Sequence, residues 1–390
     1  MITGVPFVKH TIRWGMVGGG RTAQIGYSHR SAALRDRSFE LLAGAFDIDA
    51  ERGRAFGVEL GLAPDRAYAN YREMFEAEAR RADGIQAVTI CTPNSTHYEI
   101  AKAALNHRLH IICEKPLCFT IAEAEELRDL ALAKNRIVGV TYGYSGHQMI
   151  EQARQMVARG ELGEIRIINL QFAHGFHNTA VEGQSDATRW RVDPRVSGPS
   201  YVLGDLGTHP LYIAEKILPD LKIKRLMCAR QSFVKSRAPL EDNAVTLMEY
   251  DNGAFGTVWC SAVNAGAMHS QKVRIVGSLA SIEWWDEHPN QLTYEIQGEP
   301  PRLLDRGMPY LHPEALVDDR VGGGHAEGYF EAWSNLYYRF AMAMAASDSG
   351  DAEQLAKINY PDIHAGVEGV RWVENCVRSA DAGGIWIDYK

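Results

Sequence analysis

Three polar side chains have residue types and spacing that suit acid–base chemistry. Lys115 follows the apolar run LHII in the segment CEKPL, and Pro116 prevents the strand from continuing beyond it. Asp205 and His209 lie four residues apart in GDLGTHPLYIAEKI, which places them on one face of a predicted helix, with Pro210 in its first turn. An imidazole can take a proton near neutral pH, and an ammonium group can stabilise a developing oxyanion. This combination favours proton removal from a hydroxyl group.

A glycine-rich turn suggests what lies beside that hydroxyl. The segment GGGRTA fits the pattern G-x-G-x-x-A, with Gly18, Gly20 and Ala23 in the three key places. Small residues there allow a tight turn, the approach of backbone N–H groups to a pyrophosphate, and close packing of a helix on a strand. We therefore predict a dinucleotide site, to which Arg21 and Thr22 of the same loop also belong. A glycine-rich turn without a ligand is the alternative.

The residue that ends the second predicted strand, FELLAGAFD, bears on the choice of dinucleotide. A carboxylate at Asp47 can accept hydrogen bonds from an adenosine ribose and would repel a 2′-phosphate. Because the next residues, IDAER, put no arginine directly beside Asp47, we predict NAD in preference to NADP. Arg52, one turn later, and Arg21 leave some use of NADP open.

Two further predicted strands end in polar segments, CTPNSTH and CEKPL. Open α/β sheets bind ligands at the carboxyl ends of their parallel strands. We accordingly assign cofactor contacts to Thr92, Pro93, Asn94, His97 and Glu114. For His97 the alternative is a place at a helix end, since Ser95 or Thr96 is expected to start a helix.

The chain divides into two regions of different rhythm. Up to about residue 144, apolar strand-like runs alternate with helix-like segments, which predicts an α/β Rossmann domain with a doubly wound parallel sheet at 1–144. Consecutive strands with short turns then predict a C-terminal α+β domain at 145–390 with a large open, mostly antiparallel sheet. This prediction leaves open that the last helix of the second domain packs back on the first domain.

Local signals predict several individual elements. Thr120 and Glu123 form a predicted capping box at a helix start, and Asp251-Asn252-Gly253 is a predicted hairpin turn. Two late helices are predicted near 327–346 and 361–380.

The segments GGGRTA, CTPNSTH, CEKPL and SGPSYVLGDLGTH together resemble the glucose–fructose oxidoreductase / inositol dehydrogenase (Gfo/Idh/MocA) family. The resemblance covers the first 220 residues well and the later strands only in general character. It implies a Rossmann domain, an α/β domain whose large sheet often serves oligomer contacts, and nicotinamide-dependent oxidation of sugars or polyols. It also nominates Lys115, Asp205 and His209 as the catalytic residues.

Alcohol oxidation suggests a role for each nominated residue. Removing a hydride from carbon requires a proton to leave oxygen, so we assign His209 as the base. Lys115 serves better as a cation beside the alkoxide, and Asp205 as a positioning group. The alternatives are a solvated lysine at a strand end, an aspartate that caps its helix, and a core histidine.

The predicted substrate contacts mix imidazole, guanidinium and aromatic side chains: Tyr144, His174, Trp190, Arg191 and His325. Without a dense cationic cluster, they favour a neutral polyhydroxylated ring over a phosphorylated one. Candidate substrates are scyllo- or myo-inositol, glucose including its L form, and an anhydrosugar such as levoglucosan. Two rival functions stay open: an NAD-dependent glycosidase, and a non-enzymatic dinucleotide-binding regulator.

Composition argues against several classes of partner and binding site. A net charge of −8 argues against a nucleic-acid partner, and no apolar run is long enough to span a membrane. The six cysteines are scattered without a C-x-x-C pair, which suits a reducing cytoplasm and predicts no metal site; His174 and His177 lack acidic partners nearby. A wide sheet with a second face to cover predicts a homodimer or homotetramer.

Overall fold

The computed structural model describes residues 8–183 and 189–390, which form two compact units. The parallel-sheet unit contains the described residues up to Thr141 and, from later in the chain, Trp333–Val370. The open-sheet unit begins at Tyr142 and contains the remaining described residues.

Five parallel strands in the order β2-β1-β3-β4-β5 form the sheet of the first unit. The neighbouring inner strands β3 and β4 are buried throughout, as their apolar sequences predict. This confirms the predicted doubly wound sheet. The strands are β1 Ile12–Gly18, β2 Phe39–Ala45, β3 Ala87–Cys91, β4 His110–Cys113 and β5 Val138–Val140.

Helices connect these strands, as a parallel sheet requires. Thr120 and Glu123 form the predicted capping box at the start of α5, where the Thr120 hydroxyl accepts a hydrogen bond from the Glu123 backbone N–H. The helices are α1 Gln24–Arg35, α2 Ala50–Glu59, α3 Tyr71–Glu78, α4 His97–Asn106 and α5 Ile121–Lys134.

Nine strands in the order β13-β12-β11-β10-β6-β9-β8-β7-β14 form the sheet of the second unit. Only the pair β6–β9 is parallel, so the prediction of an open, mostly antiparallel sheet is confirmed. The strands are β6 Ile165–Ala173, β7 Ile223–Gln231, β8 Asn243–Tyr250, β9 Phe255–Ser261, β10 Gln271–Gly277, β11 Ala280–Trp285, β12 Gln291–Ile296, β13 Arg302–Asp305 and β14 Ile387–Asp388.

The predicted hairpin turn joins β8 to β9. Gly253 has φ +88°, a backbone conformation that glycine adopts without steric cost. The helices in the rest of the chain are α6 Gln148–Ala158, α7 Pro194–Ser197, α8 Thr208–Ile217, α9 Pro313–Leu316, α10 Tyr329–Ser349, α11 Ala352–Lys357 and α12 Ile363–Asp381. Both predicted late helices are therefore present, as α10 and α12.

One face of the open sheet is buried and the other is exposed. Along β6, Ile168, Leu170 and Phe172 belong to a core that α6 and α8 also line, whereas Ile167 is 43% exposed. This alternation follows from the two-residue period of a strand. The expectation that a second copy of the chain covers the exposed face stays a prediction.

Residues 333–370 cluster with the parallel sheet. Sequence analysis placed 145–390 in the second domain and allowed for only the last helix to pack back on the first. Helix α10 packs closely on that sheet, because a Cβ added at Gly139 of β5 would lie 2.4 Å from a ring carbon of Phe340. The fully buried Tyr337 ring meets the Trp14 ring edge-on, with centroids 6.2 Å apart. None of the helices in the described part of the chain is long and apolar enough to cross a membrane.

A single π-helical turn, Leu203–Gly207, precedes α8 in the open-sheet unit. Gly207 packs against the sheet and α12: an added Cβ would lie 2.6 Å from the Cys260 sulfur and 2.8 Å from the Trp372 ring. At Gly204 in the same turn, no heavy atom lies within 4 Å of an added Cβ. The two glycines therefore form a matched pair for substitution.

We expect Gly207→Ala to lower the free energy of unfolding by about 1–3 kcal/mol, because the new methyl group overpacks the core. Gly204→Ala should leave this free energy unchanged or raise it by up to about 1 kcal/mol, since alanine favours helix. Urea denaturation of both variants measures the difference. Equal effects of the two substitutions would contradict the packing described for Gly207.

Candidate active site

The glycine turn after β1 has the shape that a phosphate-binding turn needs. Gly18 and Gly19 have φ values of +81° and +69°, which side chains rarely allow. Added Cβ atoms at Gly18 and Gly20 would lie 2.7 Å from the Cys91 carbonyl oxygen and 2.8 Å from the Phe46 carbonyl oxygen. The turn is thus a cradle that only glycine can form, and it fits a dinucleotide pyrophosphate.

Close approach of α1 to this turn depends on a glycine that sequence analysis missed. A Cβ added at Gly26 would lie 2.3 Å from the Gly19 carbonyl oxygen, so the helix and the turn touch backbone to backbone. Ala23, to which we had given the packing role, is the residue that caps α1. Arg30 of α1 donates a hydrogen bond to the Gly19 carbonyl oxygen at 2.8 Å. The segment AQIG contained the signal for Gly26, a glycine within the first turn of the helix that follows the glycine-rich turn.

Asp47, just beyond β2, has its carboxylate held in place. Its Oδ1 accepts hydrogen bonds from the Asp49 backbone N–H at 2.9 Å and from the Arg52 guanidinium at 2.8 Å. The Arg52 hydrogen bond is the main reason that the pKa of Asp47 is lowered. The Arg52 guanidinium is thus paired with the Asp47 carboxylate and is not a separate ligand for a phosphate.

The other predicted cofactor residues of the two loops lie near the surface. Arg21 is exposed, pairs with Glu59 and lies over the Phe56 ring, with its guanidinium 5.6 Å from the ring centroid. Thr22 is exposed as well. After β3, Thr92, Pro93 and Asn94 are half-buried or exposed, and Thr92 accepts a hydrogen bond from the Thr96 hydroxyl at 2.7 Å.

His97 was predicted to contact the cofactor, and the described contacts of its side chain lie inside the protein. Its ring is fully buried, and its two nitrogens lie 2.8 Å from the Pro116 carbonyl oxygen and 2.9 Å from the Thr92 carbonyl oxygen. The ring therefore ties the turn after β3 to the loop that carries Lys115. The alternative of a histidine at a helix end fits, because His97 is the first residue of α4.

Glu114 was also predicted to contact the cofactor, and the described contacts of its side chain lie inside the protein. Its buried carboxylate accepts a hydrogen bond from the Thr141 hydroxyl, and His29 Nε2 lies 3.3 Å from its Oε1. Burial acts to raise the pKa of Glu114, but the combined interactions with His29, Lys115 and Thr141 outweigh burial, and the pKa is lowered. A charged carboxylate thus remains in the core directly before Lys115, which is itself half-buried.

A chain of hydrogen bonds extends from His29, beside this carboxylate, into α10. His29 Nδ1 lies 2.7 Å from the Tyr337 hydroxyl, which lies 2.9 Å from the Thr89 hydroxyl. Trp14 donates its indole N–H to Thr89 Oγ1 at 2.9 Å. Each hydroxyl can then donate toward His29, which leaves the His29 ring proton on Nε2, the nitrogen 3.3 Å from the carboxylate. The chain orders the strand end that precedes Lys115, and sequence analysis missed it because His29 and Tyr337 are far apart in sequence.

In the open-sheet unit, the π turn and α8 position the proposed base. Asp205 lies in the turn and His209 is the second residue of α8, so the pair straddles the change from π to α geometry. The His209 ring is 6% exposed and is surrounded by aromatic rings, with its centroid 5.0 Å from that of Tyr144 and 6.0 Å from that of Phe172. An imidazole in its neutral form can accept a proton.

Asp205 is held by an arginine of the predicted substrate loop. Arg191 Nε donates to Asp205 Oδ2 at 3.2 Å, and the Arg191 guanidinium carbon lies 4.7 Å from the centroid of the Trp190 ring. This loop and the π-helical turn are therefore directly connected.

His174 lies beside the same aromatic cluster, with its ring centroid 6.4 Å from that of Phe172. Burial lowers the pKa of His174 to about 4, so the ring is neutral near neutral pH. Its Nδ1 accepts a hydrogen bond from the Phe176 backbone N–H at 3.2 Å, which leaves the proton on Nε2. His174 is thus a hydrogen-bond donor. The neighbouring His177 bonds to the Tyr201 hydroxyl through Nδ1.

Two predicted substrate residues remain. Tyr144 is half-buried beside His209, and its hydroxyl lies 3.2 Å from Nε2 of His269, a residue that sequence analysis did not single out. His325 is exposed, and its carbonyl oxygen accepts a hydrogen bond from the buried Arg306. The open-sheet unit thus brings together Tyr144, His174 and His209, which are linked through the Phe172 ring. Arg191 contacts both Trp190 and Asp205 in a second set. Among the described residues, no contact joins the His325 side chain to either set.

Comparison with known proteins identifies the family. The family model described as the oxidoreductase family, NAD-binding Rossmann fold, matches residues 12–142, and that for the C-terminal alpha/beta domain of the same family matches 154–388. The chain belongs to the Gfo/Idh/MocA oxidoreductases. The recognition made from GGGRTA, CEKPL and GDLGTH is therefore confirmed.

The chain is also similar over its full length to individual members. It is 57% identical over 393 residues to the uncharacterized oxidoreductase YfiI of Bacillus subtilis, with 100% of both chains covered. An inositol dehydrogenase homologue of Azotobacter vinelandii, solved with NAD⁺, is 70% identical with a TM-score of 0.99 and 100% of both chains covered. A structure of an inositol dehydrogenase homologue from the same organism with NADH and myo-inositol is 68% identical, with a TM-score of 0.96 and the same coverage.

The buried pair of His29 and Glu114 generates a stability prediction. We expect His29→Ala to lower the free energy of unfolding by about 3–5 kcal/mol near neutral pH, because it leaves a buried carboxylate without its partner. In a Glu114→Gln background the same substitution should cost less. Because the pKa of Glu114 is depressed in the folded protein, its contribution to stability is present above the ordinary glutamate pKa and is lost as the pH falls.

Chemical denaturation of the wild type, both single variants and the double variant measures this coupling. If His29→Ala costs the same with glutamate and with glutamine at position 114, the carboxylate does not depend on His29.

Proposed function

We propose that this protein is an NAD-dependent dehydrogenase that oxidises a secondary alcohol of a cyclic polyol or an unphosphorylated sugar. The observation that carries the proposal is the buried, ring-enclosed His209 beside a hydrogen-bonded Asp205 in a member of the Gfo/Idh/MocA family. Of the candidate substrates, myo-inositol comes first, because a relative of 68% identity was solved with that molecule.

The proposed roles follow from the chemistry of each side chain. His209 accepts the proton of the reacting hydroxyl, and the Lys115 ammonium group stabilises the negative charge that develops on its oxygen. Asp205, oriented by Arg191, holds a neighbouring part of the substrate. The nicotinamide of a bound NAD supplies the hydride acceptor. Gly18, Gly20 and Asp47 hold the dinucleotide in this proposal.

Charge favours a neutral substrate. Arg191 already pairs with Asp205 and stacks on Trp190, so its guanidinium serves the carboxylate before it can serve a phosphate. His174 adds a neutral hydrogen-bond donor, since its pKa is lowered to about 4 by burial. Neutral donors and aromatic faces suit sugar and cyclitol hydroxyl groups.

A panel of cyclitols and sugars tests the proposal. We expect purified wild-type protein with NAD to produce net NADH with myo-inositol, scyllo-inositol or an unphosphorylated pyranose, followed by absorbance. His209→Ala should lower kcat by about 10²–10⁴-fold, because it removes the general base. Retained NADH binding by this variant shows that it is folded, and His364→Ala, an exposed histidine, is the control.

The same panel separates the rival functions. Cleavage of a glycosidic bond without net NADH would indicate the glycosidase, and neither reaction would indicate the regulator. Near-normal turnover by His209→Ala would contradict the assignment of the base.

Cofactor preference gives an independent prediction. We expect Asp47→Asn to weaken NADH binding by about 10–100-fold, because a charged hydrogen-bond acceptor for the ribose is lost. NADPH binding should improve, since Arg52 is released from its carboxylate partner. Fluorescence titration with both reduced cofactors measures the ratio, with Glu51→Gln in α2, the helix that carries Arg52, as the control. An unchanged ratio in Asp47→Asn would rule out a ribose contact at Asp47.

A further inference from the structure

In the open-sheet unit, the Tyr144 hydroxyl contacts a histidine that is itself hydrogen-bonded to a carboxylate. His269 Nε2 lies 3.2 Å from the Tyr144 hydroxyl, and His269 Nδ1 bonds to Asp286 Oδ2. Asp286 comes directly after β11, its side chain is 4% exposed, and its other oxygen accepts a hydrogen bond from the Gln271 backbone N–H at 3.0 Å. Both carboxylate oxygens of Asp286 are therefore committed.

The backbone before β10 holds His269 firmly. The backbone N–H groups of His269 and Ser270 donate to Glu287 Oε1 at 3.1 and 2.8 Å. Ser270 has φ +58°, a left-handed conformation that is uncommon outside glycine and is found at functional sites. The His269 ring also meets the Phe172 ring, with centroids 4.5 Å apart. Position and ring orientation are thus set by several contacts.

These contacts determine which way the hydrogen bonds run. A carboxylate at Nδ1 holds the ring proton there, so Nε2 of the neutral ring is an acceptor. The Tyr144 hydroxyl then donates its proton to Nε2. Its oxygen keeps lone pairs but has no proton left to offer, and it becomes an acceptor for any further partner.

The Tyr144 ring meets the His209 ring edge-on, with centroids 5.0 Å apart, so this oriented tyrosine stands beside the proposed base. We propose that Asp286 and His269 are positioning residues that make the Tyr144 hydroxyl an obligate hydrogen-bond acceptor, which selects a substrate with a free hydroxyl next to the carbon that is oxidised. This inference rests on the proposed function and adds a specificity rule to it. A ring that offers an ether oxygen at that point has no proton to donate and is rejected.

Replacing Asp286 by asparagine should reverse the direction of the hydrogen bonds that run from Tyr144 through His269 to residue 286. In Asp286→Asn, the Gln271 N–H favours the amide oxygen at the position of Oδ1, which leaves the amide NH₂ facing His269 Nδ1. The ring proton must then move to Nε2, from which it donates to the Tyr144 oxygen. The tyrosine hydroxyl proton is released, and Tyr144 becomes a donor toward the substrate.

The first measurement needs no substrate. Nitrogen-15 NMR of the imidazole nitrogens, at a pH where histidine is neutral, should show His269 protonated on Nδ1 in the wild type and on Nε2 in Asp286→Asn. Wild-type protonation on Nε2 would overturn the inference, whatever reaction the protein catalyses.

The second measurement uses myo-inositol and its mono-deoxy and mono-O-methyl derivatives. We expect Asp286→Asn and Tyr144→Phe to lower kcat/KM for myo-inositol by about 10–100-fold, because a hydrogen bond to the substrate is reversed or lost. For the derivative altered at the recognised hydroxyl, Tyr144→Phe should cost little, and Asp286→Asn should raise the rate with the O-methyl ether relative to myo-inositol. His288→Gln, an exposed residue close by in sequence, is the control and should match the wild type.

These outcomes separate the two proposals. If the wild type oxidises none of the polyols, the proposed function fails, and the NMR result alone decides the polarity of the chain. Suppose that the wild type oxidises myo-inositol. If the ratio of kcat/KM for myo-inositol to kcat/KM for each derivative is then the same in both variants as in the wild type, the specificity rule is wrong. Retained NADH binding in each variant shows that the lost activity does not come from unfolding.

Discussion

The proposed alcohol oxidation places one constraint on this fold: ionisable groups must stand at the edges of apolar sheets in the protonation state and geometry that the chemistry requires. Taking a polar group out of water costs free energy unless a partner compensates. In the parallel-sheet unit, Glu114 is buried and charged, and His29 lies 3.3 Å from it. In the open-sheet unit, Asp205 has Arg191 and His209 has a ring of aromatic side chains. Asp205 and His209, two of the candidate catalytic residues, are thus supported by a second layer of contacts, and the supported Glu114 directly precedes the third, Lys115.

Elements whose signals are local could be predicted from the sequence. The apolar runs of β3 and β4, the capping box of α5 and the turn at Gly253 depend on residues close together in the chain. The family could also be recognised, because its motifs combine residue type with order. These features account for both sheets and for the residues nominated as catalytic.

Features that join distant residues could not be predicted in this way. Helix α10 returns to the parallel sheet, and Tyr337 lies next to His29 because of tertiary packing that no local pattern records. A motif also does not tell which way a side chain points. His97 and Glu114 stand in the expected segments, yet both turn into the protein to satisfy buried polar groups. Whether the other nominated residues touch cofactor or substrate stays a prediction.

The central claim is that a hydride passes from a ring carbon of a polyol to NAD. Incubating the wild type with NAD and myo-inositol that carries deuterium on its ring carbons tests it most directly. The account predicts that NMR of the isolated product shows one deuterium at C4 of the reduced nicotinamide. Reduced cofactor without deuterium, or ketone formed without reduced cofactor, would contradict it.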